Sequence, residues 1–218
     1  MNLEIAPSHR TFFIKNKFIV FDDILTASEL SALQTLVSEI PLENATNLFL
    51  RYPAFQKYIF SKKLAQLVFS LLNINPIRIA SDQYIYSGSQ HVIAATLQEI
   101  GTLQPLICGL LLNINETSLE VPQDSESSMP FPINPGSGVF IHPDFKFPYD
   151  QLSNYAGGQF LLITYGSKRL IYTQNDSDPD LYFLKKQGYN FEMPISSATH
   201  PLLIDLPQPY LFLSLIHI

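Results

Sequence analysis

Two residues in the last third of the chain have the types and spacing that metal chemistry requires. His142 and Asp144 form the only His-x-Asp pair in the 218 residues. An imidazole and a carboxylate two residues apart supply two ligands of the 2-His-1-carboxylate facial triad, which holds non-haem Fe(II) with positions open for oxygen chemistry. The third ligand would be His200, farther along the chain. A complete triad would make the chain an oxygenase.

The segment before His142 must position this pair. Residues 135–138 are Pro-Gly-Ser-Gly, which is typical of a turn, and residues 139–141 are an apolar strand. Without a third ligand, His142 and Asp144 are simply a loop at the end of that strand. A 2-oxoglutarate cosubstrate would also need an Arg or Lys shortly after the last His to pair with its distal carboxylate. Residues 201–218 contain neither.

Other catalytic and binding motifs fail on spacing. The acidic run at residues 175–180 has Asp180 and Lys186 where a Ca²⁺-binding EF-hand loop needs Gly and Glu. Residues 136–138 lack the spacing of a nucleophile elbow. No Gly-rich phosphate loop and no Cys/His zinc spacing is present in the sequence.

Composition excludes several classes of partner. The formal net charge of −6, with no cluster of Lys and Arg, disfavours nucleic acid. No apolar run reaches the roughly 18 residues that span a bilayer, and the N-terminus does not have the pattern of a signal peptide. The single Cys108 lies in an apolar run and is expected to be a buried, unreactive thiol. We therefore expect a cytoplasmic protein with no nucleic-acid or membrane partner.

The N-terminal third is predicted to be mainly helical after an initial strand at residues 12–21. Thr26 and Glu29 have the spacing of a capping box, and apolar residues then recur on one helical face as far as Ile40. Ser61 is positioned to cap a second helix that ends at Asn73. The leucine stripes of both helices are expected to face the core.

From residue 77 onward the pattern changes to strands. Residues 77–80 and 83–86 are predicted strands with a bulge between them, and residues 106–114 form a continuous apolar strand. Residues 115–135 are predicted to be a long acidic loop. Residues 160–165 and 168–173 are predicted to form a hairpin around Gly166 and Ser167, because Gly in the first position of a two-residue loop favours a type II′ turn. A short helix starting at Asp178 and Pro179 follows. The apolar residues 210–218 are predicted to be a final strand or a segment docked on the core.

This order predicts one α+β domain over residues 1–218. Helices lie mainly in residues 22–75 and strands mainly in residues 77–173, with a C-terminal helix and strand in residues 179–218. The helices would flank a two-sheet jelly roll, or double-stranded β-helix.

In this order the residues resemble the phytanoyl-CoA hydroxylase-like branch of the Fe(II)/2-oxoglutarate dioxygenases. Residues 21–25, followed by Glu29 and Leu30, are similar to that family's entry into its first helix. Residues 103–112 are similar to the strand that follows its His-x-Asp, and residues 135–140 to the strand before its distal His. The resemblance spans roughly residues 18–175 and includes a hypothetical protein of obligate intracellular bacteria, so a bacterial source is expected.

The family's functional residues do not carry over. Its His-x-Asp should precede Leu106, where the sequence has either His91-Val-Ile or Gln98-Glu99. Its distal His should fall near Lys146 and Phe147, and its cosubstrate Arg at Gln159. An amide cannot replace the charged, bidentate partner of a carboxylate.

Two hypotheses follow. In the first, the chain has the oxygenase fold with a degenerate site, holds no iron or other cofactor, has no catalytic or metal-ligating residues, and binds an unknown small molecule or protein. In the second, it is an active Fe(II)/2-oxoglutarate oxygenase with a rearranged site at His142, Asp144 and His200.

Overall fold

A computed structural model describes residues 4–41, 45–88, 96–99, 102–119, 130–152, 157–173 and 181–206. In this part of the chain there are seven α-helices and six β-strands. The helices are α1 (Pro7–Asn16), α2 (Ala27–Ser38), α3 (Leu48–Arg51), α4 (Pro53–Ile59), α5 (Lys62–Leu72), α6 (Tyr149–Leu152) and α7 (Leu181–Lys186). The strands are β1 (Phe18–Phe21), β2 (Ile77–Tyr86), β3 (Leu103–Asn113), β4 (Gly138–Ile141), β5 (Gln159–Tyr172) and β6 (Leu202–Ile204).

Helices α2 and α5 confirm the predicted caps. The Thr26 hydroxyl accepts a hydrogen bond from the Glu29 N–H, and the Glu29 carboxylate accepts one from the Thr26 N–H at 2.8 Å. The Ser61 hydroxyl accepts from the Leu64 N–H, and Asn73 ends α5 in the left-handed conformation. Each cap satisfies N–H groups that the first helical turn leaves without partners.

The predicted strand over residues 12–21 is wrong in its first half, where helix α1 lies instead. Pro7 stands in the first turn of α1, and the Nδ1 atom of His9 accepts a hydrogen bond from the Ala6 N–H at 3.2 Å. Lys17, with φ of 68°, ends the helix, and β1 follows directly. Phe13 is the buried residue of α1, so the apolar alternation is too weak to distinguish helix from strand.

All six strands belong to one antiparallel sheet in the order β1-β4-β3-β5-β2-β6. Strand β5 is central, because it pairs with β3 on one side and with β2 on the other. The sheet is curled into a half-barrel. The strands predicted around residues 77–86, 106–114 and 139–141 are confirmed as β2, β3 and β4.

The predicted hairpin at Gly166 is wrong, because β5 runs through it as one strand. Leu106 pairs with Gly166, and Leu103 pairs with Tyr172, so β3 accompanies β5 on both sides of the expected turn. Between these two pairs β5 has more residues than β3, and the register shifts beside Leu106 accommodate the difference. Gly166 does not have the positive φ that the first central residue of a type II′ turn requires.

Each face of the sheet carries its own apolar core. The helix-side cluster joins the sheet to α2, α3, α4 and α5, with Leu33, Phe49 and Val68 at its centre. The loop-side cluster covers the opposite face, where Phe131, Phe147 and other residues of the connecting segments pack on β2 to β5. Both faces are therefore buried, which explains the continuous apolar runs of the central strands.

A β-bulge between Ile79 and Ser81 confirms the irregularity predicted in β2. Before the bulge, Ile77 and Ile79 lie in the helix-side cluster, and after it Tyr84 does. One extra residue therefore changes which side chains face the helices.

The mixed helix and antiparallel sheet agree with the predicted α+β class, while the second sheet of a jelly roll stays a prediction. Residues 89–95, 120–129, 174–180 and 207–218 lie outside the described residues. They include His91, part of the predicted acidic loop, the predicted cap at Asp178 and the predicted last strand. Within the described ranges no helix has the length and apolarity needed to cross a membrane.

Candidate functional site

The His142–Asp144 pair lies where β4 ends. The Asp144 N–H donates to His142 Nδ1 at 3.2 Å, and an Asp144 carboxylate oxygen lies 3.6 Å from the same nitrogen. Partial burial lowers the pKa of His142, as does the positive charge of Lys17, while Asp144 opposes both. The imidazole also contacts the Phe13 ring, so it faces α1 on the helix side of the sheet.

His200 lies beside β6, at the other edge of the sheet. Its side chain is fully buried, with ring contacts to Phe49 and Tyr189. Nδ1 lies 2.9 Å from the Thr199 hydroxyl, whereas Nε2 has no hydrogen-bond partner among the residues that the structure describes. Burial first, and then the positive charge of Arg78, lower the pKa of His200 to about 4.

The structure does not bring the three candidate ligands together. Strands β3, β5 and β2 separate β4, which carries His142, from β6, which follows His200. Among the described residues no group of three His, Cys, Asp or Glu side chains could hold a metal ion. His91 lies outside those residues, so this finding does not extend to it.

The segments where the sequence resemblance expects the family's iron ligands lie close together. Residues Leu97–Glu99 form a 3-10 turn before β3, and the Gln98 amide donates to Asp144 at 2.7 Å. Leu97 and Phe147, which are near these two residues in the sequence, are buried in the loop-side cluster. The contact itself consists of an amide and a carboxylate.

Gln159, where the sequence resemblance expects the cosubstrate Arg, is part of a hydrogen-bond network with Asn115. The Gln159 N–H donates to Asn115 Oδ1 at 2.9 Å, and the Gln159 carbonyl accepts from Asn115 Nδ2. Asn113 Oδ1 accepts from the backbone and the side chain of Asn115. These amides join the ends of β3 and β5, which is a structural role.

Two buried charges of β2 were not identified as candidates from the sequence. Asp82 is 2% exposed, and its carboxylate accepts from the Leu48 N–H at 2.7 Å and the Phe49 N–H at 3.1 Å, at the start of α3. Arg78 is 4% exposed and donates to the His200 carbonyl and to the Ser197 hydroxyl. The available signal was a charged residue inside the predicted strand at residues 77–80, for Arg78, and a charged residue in the predicted bulge between two apolar strands, for Asp82.

A small cavity of about 50 Å³ lies on the helix side of the sheet. Leu112, Leu161 and Ile163 of the sheet form its base. The Lys63 ammonium, near its mouth, donates to the Ile24 carbonyl at 2.6 Å and lies 3.6 Å from Glu29. A volume of this size holds a few water molecules rather than an organic substrate.

Comparison with solved structures identifies the fold. The chain is similar to SnoK, a non-haem α-ketoglutarate-dependent carbocyclase of nogalamycin biosynthesis, with a TM-score of 0.66 and 10% identity over 91% of this chain and 96% of that one. It is similar to the epimerase SnoN of the same biosynthesis, with a TM-score of 0.63 and 11% identity over 89% and 96%. CT296 from Chlamydia trachomatis gives 0.53 and 16% over 77% and 99%.

These likenesses show the fold of the Fe(II)/2-oxoglutarate-dependent oxygenases, as the resemblance in the sequence predicted. No protein-family profile matches the chain. No curated protein sequence matches it either.

Proposed function

We propose that the chain is a binding or interaction protein that has the oxygenase fold without the iron and 2-oxoglutarate sites. The observation that carries the proposal is the contact between Gln98 and Asp144. This contact joins the two segments in which the resemblance expects iron ligands, and Gln98 contributes an amide to it where the family has an imidazole.

The residues at the other family positions also fit the cofactors poorly. Phe147 is an apolar ring that packs against Phe131 and Tyr149. Gln159 offers an uncharged amide where a guanidinium would clamp the distal carboxylate. The loop-side cluster places buried apolar side chains over the face of the sheet between these positions.

Anaerobic calorimetry with Fe(II) tests the proposal. We expect no saturable heat from the purified chain. HygX, whose solved structure contains iron, serves as the positive control. Stoichiometric, saturable uptake of iron by the chain would overturn the proposal.

An active oxygenase is the second candidate, because CytC3 and SnoN have structures with iron and α-ketoglutarate. It predicts iron-dependent conversion of 2-oxoglutarate to succinate, which His142→Ala would abolish if His142, Asp144 and His200 form a rearranged site. Succinate at the level of the protein-free blank for both proteins would exclude it. Turnover that survives His142→Ala would instead indicate different ligands.

A further inference from the structure

Arg78 is a buried cation that has no anionic partner among the described residues. Its neighbours Ile77 and Ile79 belong to the helix-side cluster, so alternation along β2 directs Arg78 toward the loop side. Both of its hydrogen-bond acceptors are uncharged: the His200 carbonyl at 2.6 Å from Nη1 and the Ser197 hydroxyl at 3.0 Å from Nη2. In the described part of the chain, no acceptor contacts its Nε atom.

Burying a guanidinium without a counter-charge is unfavourable, because the lost hydration is only partly replaced by neutral acceptors. Nε–H and the adjacent Nη–H of an arginine form the planar edge that binds both oxygens of a carboxylate. The acceptor missing at Nε therefore lies on the edge that recognises carboxylates.

His200 contributes a second polar atom without a partner to the same cluster. Its carbonyl accepts a hydrogen bond from Arg78, while its buried Nε2 atom has no hydrogen-bond partner among the described residues. The Thr199 hydroxyl donates its one proton to the Ser196 carbonyl at 3.2 Å, so the ring proton of a neutral His200 is on Nδ1 and Nε2 is an acceptor. A neutral imidazole leaves the cluster with a single positive charge, which matches a monoanion.

The cluster lies just beneath the surface. Ser197, which accepts from Arg78, is exposed, as are its neighbours Ser196 and Ala198. This segment lies in neither a helix nor a strand, and its turn is held by short-range hydrogen bonds such as that from Ala198 N–H to the Ser196 hydroxyl. A small ligand that displaces the Ser197 side chain therefore reaches the Arg78 guanidinium.

We propose that Arg78, beside His200 and under residues 196–199, binds a small organic carboxylate. The site is separate from the position expected for the family's cosubstrate Arg, because Arg78 pairs with Gly166 near one end of β2, whereas Gln159 pairs with Tyr86 at the other end of β2. The carboxylate site does not depend on iron binding. The calorimetry with Fe(II) and the unfolding experiment with acetate therefore test separate proposals, and either can fail without the other.

Thermal unfolding with sodium acetate as the probe tests the site, with sodium chloride at equal ionic strength and acetamide as references. We expect acetate to raise the melting temperature saturably, because a ligand that binds the folded state stabilises it by mass action. Acetamide has the same shape without the charge and should have no such effect. A response to acetate no larger than that to chloride would overturn the proposal, as would inorganic phosphate binding more tightly than acetate.

Substitutions at Arg78 test whether the rise in melting temperature with acetate comes from binding at this site. Arg78→Gln should abolish it, and the exposed Arg169→Gln should retain it. Arg78→Lys keeps the cation but loses two-point geometry, so acetate affinity should fall about tenfold. This variant decides the question if Arg78→Gln does not fold. Acetate affinity equal to that of the wild type in Arg78→Lys or Arg78→Gln would contradict the assignment.

Discussion

Strand β2 carries two buried charges that the fold treats in opposite ways. Asp82 faces the helices, where two backbone N–H groups of α3 bind its carboxylate. Arg78 faces the loop side, and its acceptors among the described residues are all neutral. Backbone dipoles therefore stabilise the buried charge on the helix side, whereas the charge on the loop side is the one that an external anion would balance.

The largest expected effect comes from Asp82→Ala. The substitution leaves the N–H groups of Leu48 and Phe49 buried without an acceptor, so we expect the free energy of unfolding to fall by about 3 to 5 kcal/mol. Urea denaturation measures it, with the exposed Asp205→Ala as the matched control. A loss below about 1 kcal/mol would show that Asp82 does not stabilise the start of α3. The contrast between Asp82 and Arg78 would then not hold.

The pH dependence of the free energy of unfolding tests the cluster of Arg78 and His200. The pKa of His200 is lowered to about 4 in the folded state, whereas an unfolded His titrates near 6.5. The unfolded chain therefore binds a proton first as the pH falls. The contribution of His200 is complete above about pH 6.5, declines by about 3 kcal/mol between pH 6.5 and 4, and then levels off.

Urea denaturation at pH 7 and pH 4.5 measures this decline. Carboxylates also titrate in this range, so the informative quantity is the difference between wild type and His200→Phe, which should lose the His200 share. In Arg78→Met the free energy of unfolding should fall less steeply with decreasing pH than in wild type, because the charge of Arg78 is the second cause of the lowered pKa of His200. Identical pH profiles in wild type and His200→Phe would refute the assignment.

The smallest expected effect is that of Arg78→Met in buffer free of carboxylates. An apolar chain of similar length removes an uncompensated buried charge and two hydrogen bonds, so we expect stability to change by less than about 1 kcal/mol. The same urea titration measures it. A loss as large as that of Asp82→Ala would mean that Arg78 stabilises the fold as an ordinary structural residue.

Local signals predicted helices α2 and α5 correctly. The caps at Thr26 and Ser61 and the leucine stripes depend on residues close in sequence, and α2 and α5 formed as expected. The hairpin at Gly166 failed because pairing with β3, a long-range effect, outweighed the preference of two residues for a turn. Helix α1 was missed because it buries only Phe13 and has no clear apolar face.

The candidate site was harder to predict for the same reason. The His142–Asp144 spacing is correct for a metal site, but the sheet order places His200 at the opposite edge. In a regular strand Arg78 and Asp82 would share a face, and only the bulge between Ile79 and Ser81 puts them on opposite faces. The sequence of β2 predicts a bulge near this point, but its position between Ile79 and Ser81, which decides the faces of Arg78 and Asp82, follows from the register with β5.

Strand β5 is central in the sheet but late in the sequence, and this affects how the chain folds during its synthesis. Strands β2 and β3 leave the ribosome before β5, and each pairs with β5 along most of its length. Until residues 159–172 are synthesised, both strands expose apolar edges with unpaired backbone groups. Edges of this kind pair readily with other chains. The nascent protein is therefore most prone to aggregation just before its central strand appears.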